Sequence, residues 1–441
     1  MSCVNLKMKI ALFALGAGHH LSSWRLSTEK NPFSYEYYLD VTKLAEKGKL
    51  DFVFFADGLY IDEYSHTNVL NALEPTILLS SLAVHTSHIG LAATASTTYN
   101  EPYNLARRFG SIDHISNGRS AWNIVTSADQ GSAKNFSRDE HMEHSKRYKR
   151  AEEFVEVVKG LWDSWEDEAF VLNKEQGVFV DYNKMHKLNH RGDFFSVEGP
   201  LNLSSLPQGH PVLIQAGTSP AGRQLAAKYA EIVFVNNNKG IENAKAYYDE
   251  LKEKVVSYGR EKEDVVITSG IRFILGQTKE MAYQKYNEMQ SLINPNIGLK
   301  LLTTILPQID FYAMDLNEPL IDLVEPVDEE HSKKYEIYKK FTAKRKFTLK
   351  QLAQHVASIT PHDLFIGTPE QLAIRMEEWF KAGACDGFNL MPLNMKEDLE
   401  AFLLETVPIL QQKNLFKKEY EGVSLRENLG LVKNSAFSGR Y

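Results

Sequence analysis

The chain is 441 residues long and 43% hydrophobic, enough for a large core, and it has no apolar stretch of membrane-spanning length. A net charge of −7 disfavours nucleic acid or an anionic membrane as partner, and two cysteines, Cys3 and Cys385, allow neither a disulfide framework nor a cysteine-rich metal site. Residues 1–10 lack the apolar core and cleavage pattern of a signal peptide, so a cytoplasmic location is expected.

In chain order, a short apolar run at 9–14 reads as a first strand and 36–49 as an amphipathic helix with Tyr37, Tyr38, Val41, Leu44 and Ala45 on one face. Strand two is 51–56, followed by a helix at 75–85. Strand three is 89–93, followed by a helix at 102–115 that opens on a proline. Strand four, 120–126, leads into a long helix over 145–165. The alternation then stops for an excursion at 166–210, with short strands around 193–197. It resumes with strands at 211–216, 231–235 and 265–274 and helices at 220–230, 241–258 and 279–292. A second excursion, 294–360, is proline- and charge-rich, as lids and interface elements often are. A capped helix over 367–382 precedes the eighth strand, 386–392, and a closing helix at 396–412. Cys385, just before that strand, reads as a small core residue. The polar tail, 414–441, is expected to pack along the outside or on a partner subunit.

Eight strands, each followed by a helix, predict an α/β fold of the (β/α)8 TIM-barrel type, one domain with two large insertions. An open doubly wound sheet is the competing architecture. It needs a glycine-rich turn after strand one, and Gly16-Ala-Gly18-His-His-Leu21 puts leucine where the third glycine belongs.

Polar residues gather at the ends of the apolar runs: Asp57, Thr94, Asn123 and the Gly217-Thr218-Ser219 turn. On a barrel these ends share one face, where ligands bind. His144 and Tyr148 stand four apart in the first turns of the long helix, and Ser219-Pro220 opens another helix. Two such N-termini can hold one phosphate between them, although Ser219 as a plain N-cap and His144 as an exposed first-turn residue account for the same spacing. His141-Met-Glu-His144 lacks a third ligand for a metal, and no metal is expected. There is no nucleophile elbow, no phosphate loop with Gly-Lys-Ser/Thr and no carboxylate pair suited to a barrel hydrolase.

His19-His20-Leu-Ser-Ser-Trp24-Arg25, Phe55-Ala-Asp57-Gly58, Ser96-Thr-Thr-Tyr99 with Pro102-Tyr103, Ala121-Trp-Asn-Ile-Val-Thr-Ser127, Glu143-His-Ser-Lys-Arg-Tyr148, Trp162-Asp-Ser-Trp165 and Gln215-Ala-Gly217 follow one another in order. Together they resemble the bacterial-luciferase-like flavin monooxygenases, over about residues 8–430, and within them the nitrilotriacetate monooxygenase component A and dibenzothiophene-sulfone monooxygenase group. The resemblance implies a two-component enzyme. A separate NAD(P)H-dependent flavin reductase supplies reduced FMN, and the chain uses it with O2 to oxygenate a small molecule, often with C–S or C–N cleavage. It implies flavin contacts at Asp57, Thr94 and Asn123 beside the ring and at His144, Tyr148 and Ser219 around the phosphate. A homodimer or homotetramer is implied as well. His20 is the residue this reading puts near the reacting flavin.

Alkane-oxidising relatives carry a cysteine after strand one and a histidine after the asparagine-containing strand. Here Leu15-Gly16 and Ala128-Asp129 stand there, against an alkane substrate. Resemblance to Bacillus-type members acting on modified cysteines favours an S-alkylated cysteine, such as an N-acetylated S-(2-succino)cysteine. A carboxylated substrate needs a cation, for which Arg25, Arg272 and Lys300 are the candidates. The competing functions are a non-catalytic flavin-binding barrel and a deazaflavin-dependent oxidoreductase.

Overall fold

The apolar runs become parallel strands because each is buried on both faces and can satisfy its backbone only through neighbouring strands. In chain order these are β1 (Lys9–Phe13), β2 (Phe52–Phe55), β3 (Gly90–Ser96) and β4 (Ser120–Val125). The first excursion contributes a two-residue antiparallel pair, β5 (His190–Arg191) and β6 (Ser196–Val197). Then come β7 (Val212–Gln215), β8 (Ile232–Val235), β9 (Val266–Leu275), β10 (Asp363–Gly367) and β11 (Gly387–Pro392). Parallel pairing runs β11-β1-β2-β3-β4-β7-β8, and β9 joins β8 to β11, closing an eight-stranded barrel. The computed structural model describes residues 7–62, 65, 67–236, 239–307, 309–318, 347–360 and 362–432.

One strand departs from the sequence reading. β10 falls between the second excursion and the helix Pro369–Lys381, and it pairs with the upper half of β9 along the edge that β8 vacates after Ser269. A ninth strand therefore rides on the barrel without entering its ring. β3 also runs past the expected end, so Thr94 lies inside the strand and pairs in register with Asn123.

Alternation divides each barrel strand between two cores. Leu12, Val53, Leu91, Trp122, Leu213, Ile271, Phe273 and Leu390 face the helical layer. Ala11, Phe52, Phe54, Ala92, Ala121, Val212, Ile214 and Ile232 fill the barrel. Trp122, wholly buried between Phe109 and Phe154 with its indole N–H on the Ala95 carbonyl, is the type of contact that costs about 3–5 kcal/mol to truncate.

The helices are α1 (Ser23–Leu26), α2 (Tyr35–Lys47), α3 (Pro75–Ala83), α4 (Pro102–Ser116), α5 (Ser132–Asn135), α6 (His144–Trp162), α7 (Pro220–Tyr229), α8 (Ile241–Ser257), α9 (Lys279–Ser291) and α10 (Pro295–Ile305), with further helices over Leu349–Ser358, Pro369–Lys381 and Met395–Ala401. Proline at the first position of α3, α4, α7 and α10 starts each where an N–H would have no partner. Within the second excursion, α10 and Leu349–Ser358 make their own small core around Leu302, Leu306, Phe311 and Leu352. They approach so closely that a Cβ on Gly298 would lie 1.8 Å from the Ala353 carbonyl oxygen.

The tail is not an outer arm over its described part. Leu425, Leu429 and Leu431 enter the barrel core at the strands' N-terminal ends, where a Cβ on Gly90 would meet Leu425 at 2.5 Å. A polar segment with three correctly spaced leucines is enough to plug the barrel floor.

Candidate active site

At the opposite end, the strands' C-terminal ends carry the polar residues. Because Trp122 turns outward, Asn123 turns into the barrel, and its amide donates to Thr94 Oγ1 at 2.9 Å. Both side chains are buried, and Asn123 Oδ1 has no partner. An amide oriented by one neighbour, with a buried acceptor left open, is a recognition element for an N–H donor.

Asp57, just past β2, lines a cavity of about 290 Å³ with Tyr38, Phe55, Tyr60 and Asp129. Burial, and then the nearby Glu74 carboxylate, push its pKa up to about 6 against the opposing pull of the Gly58 N–H. Tyr60 also borders a second cavity of about 690 Å³, lined by Lys134, His141, His144 and Arg147. His141 is committed there: one ring nitrogen meets Tyr99 Oη at 2.6 Å and the other the Ser127 carbonyl at 3.1 Å, leaving neither for a metal. Among the described residues no group of three potential ligands gathers.

His144, Tyr148 and Ser219 do come together. The rings of His144 and Tyr148 lie 4.9 Å apart, and Ser219 Oγ sits 3.5 Å from Tyr148 Oη while accepting from Gly222 N as the cap of α7. In the turn before α7 a Cβ on Gly217 would lie 3.0 Å from the Gly222 Cα, so glycine suits this close backbone approach. The two helix ends differ from the sequence reading in one respect. Glu143 already accepts from the N–H groups of Ser145 and Lys146, so the start of α6 is filled from within. The positive end of α7, with the Tyr148 and Ser219 hydroxyls, is left to face an anion.

The remaining sequence candidates separate. Adjacent histidine side chains diverge. His20 is buried against Ser22 and edge-on to Tyr286 of α9, while His19 turns to the barrel, its Nε2 2.9 Å from the Phe13 carbonyl oxygen and its ring edge-on to Phe13. Arg25 is exposed and donates to the Leu292 carbonyl at the end of α9. Lys300 belongs to α10, in the separate core of the excursion. Arg272 is buried at the mouth, with His362 beside it. Sequence reasoning missed His362 because β10, which it precedes, was missed. The three apolar residues Leu364, Phe365 and Ile366 before the Thr368 cap were the available signal. Cys385 is buried, and burial pushes its thiol far above the usual range, as suits a core residue.

A closed parallel barrel with this polar mouth defines a barrel enzyme, and the Luciferase-like monooxygenase family model matches residues 8–385. The chain belongs to that family and is a flavin-dependent monooxygenase. It is 48% identical over 435 residues to the N-acetyl-S-(2-succino)cysteine monooxygenase of Bacillus subtilis, covering 98% of each chain. It is 40% identical to the nitrilotriacetate monooxygenase component A of Aminobacter aminovorans, covering 97% of each. Among solved structures, DmoA of Hyphomicrobium sulfonivorans superposes with a TM-score of 0.82 at 28% identity, over 96% of this chain and 92% of that one. No described helix is long and apolar enough to cross a membrane.

Proposed function

We propose that the chain is the oxygenase of a two-component system. It takes reduced FMN from an NAD(P)H-dependent flavin reductase and, with O2, oxygenates a small thioether or amine with C–S or C–N cleavage. An S-alkylated cysteine of the N-acetyl-S-(2-succino)cysteine type is the favoured substrate. The observation that carries this reading is the buried pair Thr94–Asn123, with an open amide oxygen, on the same barrel face as the Tyr148–Ser219 hydroxyls at the start of α7. The names of the two relatives support the two-component scheme and the substrate class.

The donors and acceptors suit a flavin. Asn123 Oδ1 would accept an N–H of the ring, with Thr94 holding that amide in place and Asp57 supplying a carboxylate at the wall. The hydroxyls of Tyr148 and Ser219 would donate to the phosphate, and the dipole of α7 would add to them. Bound reduced flavin supplies the two electrons with which one atom of O2 enters the substrate and the other leaves as water. The barrel contributes dryness. Phe13, Phe54 and Phe234 pack below the mouth and exclude the water that diverts such chemistry.

The test is turnover under ¹⁸O₂ with NADH, FMN, a flavin reductase and N-acetyl-S-(2-succino)cysteine or nitrilotriacetate. One ¹⁸O atom in the product and oxygen uptake that depends on both substrate and chain are expected. Tight binding of oxidised FMN with no substrate-dependent uptake by any thioether or amine would identify a flavin carrier. Reduction of a deazaflavin without O2 would identify the other alternative.

A further inference from the structure

Arg272 is the one charged side chain that β9 sends into the barrel mouth; its neighbours Ile271 and Phe273 face the helices. It is 4% exposed. Its guanidinium donates to Thr360 Oγ1 at 2.7 Å and to the His19 carbonyl at 3.1 Å, and Nε has no partner. Both partners are neutral, and among the described residues no carboxylate forms an ion pair with it. A guanidinium stays charged when buried, so this arginine holds a desolvated positive charge with three N–H donors to spare. Proteins keep such a charge only where something compensates it.

The surroundings define what fits. The His362 ring lies parallel to Phe234 with centroids 5.7 Å apart, and its Nδ1 is buried without a partner. A Cβ on Gly270, the residue on the same strand face as Arg272, would come within 2.7 Å of Phe234 and 3.1 Å of His362 Nδ1, so glycine is what lets these two rings pack beside Arg272. Below, Phe13 packs edge-on against Phe54, His19 and Phe234. Burial, and then the Arg272 charge, push the His362 pKa down to about 4, so the imidazole is neutral and can donate without adding charge. A cationic fork and a neutral imidazole stand over an aromatic floor.

We propose that Arg272 and His362 form a subsite for a carboxylate of the substrate, with the aromatic floor of Phe13, Phe54 and Phe234 taking the adjoining alkyl or thioether portion. This rests on the reading that the substrate occupies the barrel mouth. It names the recognised group: a planar carboxylate that accepts from the spare edge of Arg272 and from His362 in its Nδ1–H tautomer. A reduced flavin ring is also anionic, and the experiment separates the two sources.

The full chain without flavin is titrated calorimetrically with N-acetyl-S-(2-succino)cysteine and with its methyl esters, and separately with anaerobic reduced FMN. Arg272→Gln is expected to weaken the carboxylate ligand at least tenfold, to leave ester binding and reduced-FMN affinity within twofold, and to melt no lower than the parent. A structural arginine would lower the melting temperature instead. His362→Asn is expected to cost threefold to tenfold in the same affinity and serves if the arginine variant does not fold. In turnover, KM should rise while kcat stays within about threefold. Unchanged carboxylate binding in both variants, or loss confined to reduced FMN, overturns the proposal. Arginine-dependent carboxylate binding by a chain that oxygenates nothing leaves the subsite standing and removes the oxygenase reading.

Discussion

The two ends of the barrel treat buried charge in opposite ways. At the floor the buried cations are satisfied within the chain, Arg119 by the carbonyls of Ser116, Ile89, Ala83 and Thr86 and three others by an anion each. Arg426 forks onto Glu231 through two N–H···O contacts of 2.5 and 2.9 Å, Lys417 meets Asp51, and Lys252 lies 3.1 Å from Asp386. Burial alone would push the Glu231 carboxyl up, but Arg426 overrides it and holds the group below the usual carboxylate range. At the mouth Arg272 has no acid among the described residues, Asp57 is held high by burial and Glu74, and Asn123 Oδ1 and His362 Nδ1 are unpartnered. Charge paired within the chain stabilises the fold, whereas charge left over is available to a ligand. The floor is thus built for stability and the mouth is left incomplete.

The comparison can be broken most severely at the floor. Arg426→Ala should cost about 3–5 kcal/mol by leaving Glu231 buried and unpaired, measured by urea denaturation, while the double replacement of Arg426 and Glu231 by methionine should cost far less than the single change. At the mouth the balance should reverse. Ser219→Ala is expected to reduce reduced-FMN affinity by about tenfold or more while costing about 1 kcal/mol for the lost cap. Asn123→Ala should weaken flavin binding about tenfold with a stability change under about 1 kcal/mol, since its open acceptor contributes nothing to the flavin-free fold. Anaerobic fluorescence titration checks both.

The smallest effect sharpens the contrast by pH. Asp57 titrates near 6 in the folded chain and near 3.9 unfolded, so between these values the folded state binds more protons. The flavin-free chain should therefore lose stability as pH rises through this window. Asp57→Asn should melt a degree or so higher than the parent at pH 8 and equally at pH 4, while binding reduced FMN less tightly. A variant that melts lower at pH 8 would mean that the carboxylate stabilises the empty mouth.

All eight barrel strands were legible because a strand buried on both faces must be a short apolar run, and most helices announced themselves by a cap or a first-turn proline. Asp57, Asn123 and Ser219 were legible as polar residues ending such runs. The partnership of Thr94 with Asn123 depends on the register of β3 against β4, which no local pattern encodes. The choice of His19 over His20 depends on which side of one turn faces the barrel. β10 and His362 were missed because β10 starts halfway up β9 rather than at the floor, and only the pairing edge vacated by β8 shows where it goes.

What the amino-acid sequence determined by itself was therefore periodicity and punctuation: the order of strands and helices, the closed barrel they imply, and the types of polar group at one end. These follow from burial and backbone hydrogen bonding, which act over a few residues. What the tertiary structure alone decided was compensation. Leucines of a polar tail became the floor. Glu143 filled the N-terminus of its own helix. Arg272 was left at the mouth without an acid among the described residues. Whether a charge is paired depends on residues brought together from distant parts of the chain, and that decides which charges serve stability and which remain for a ligand.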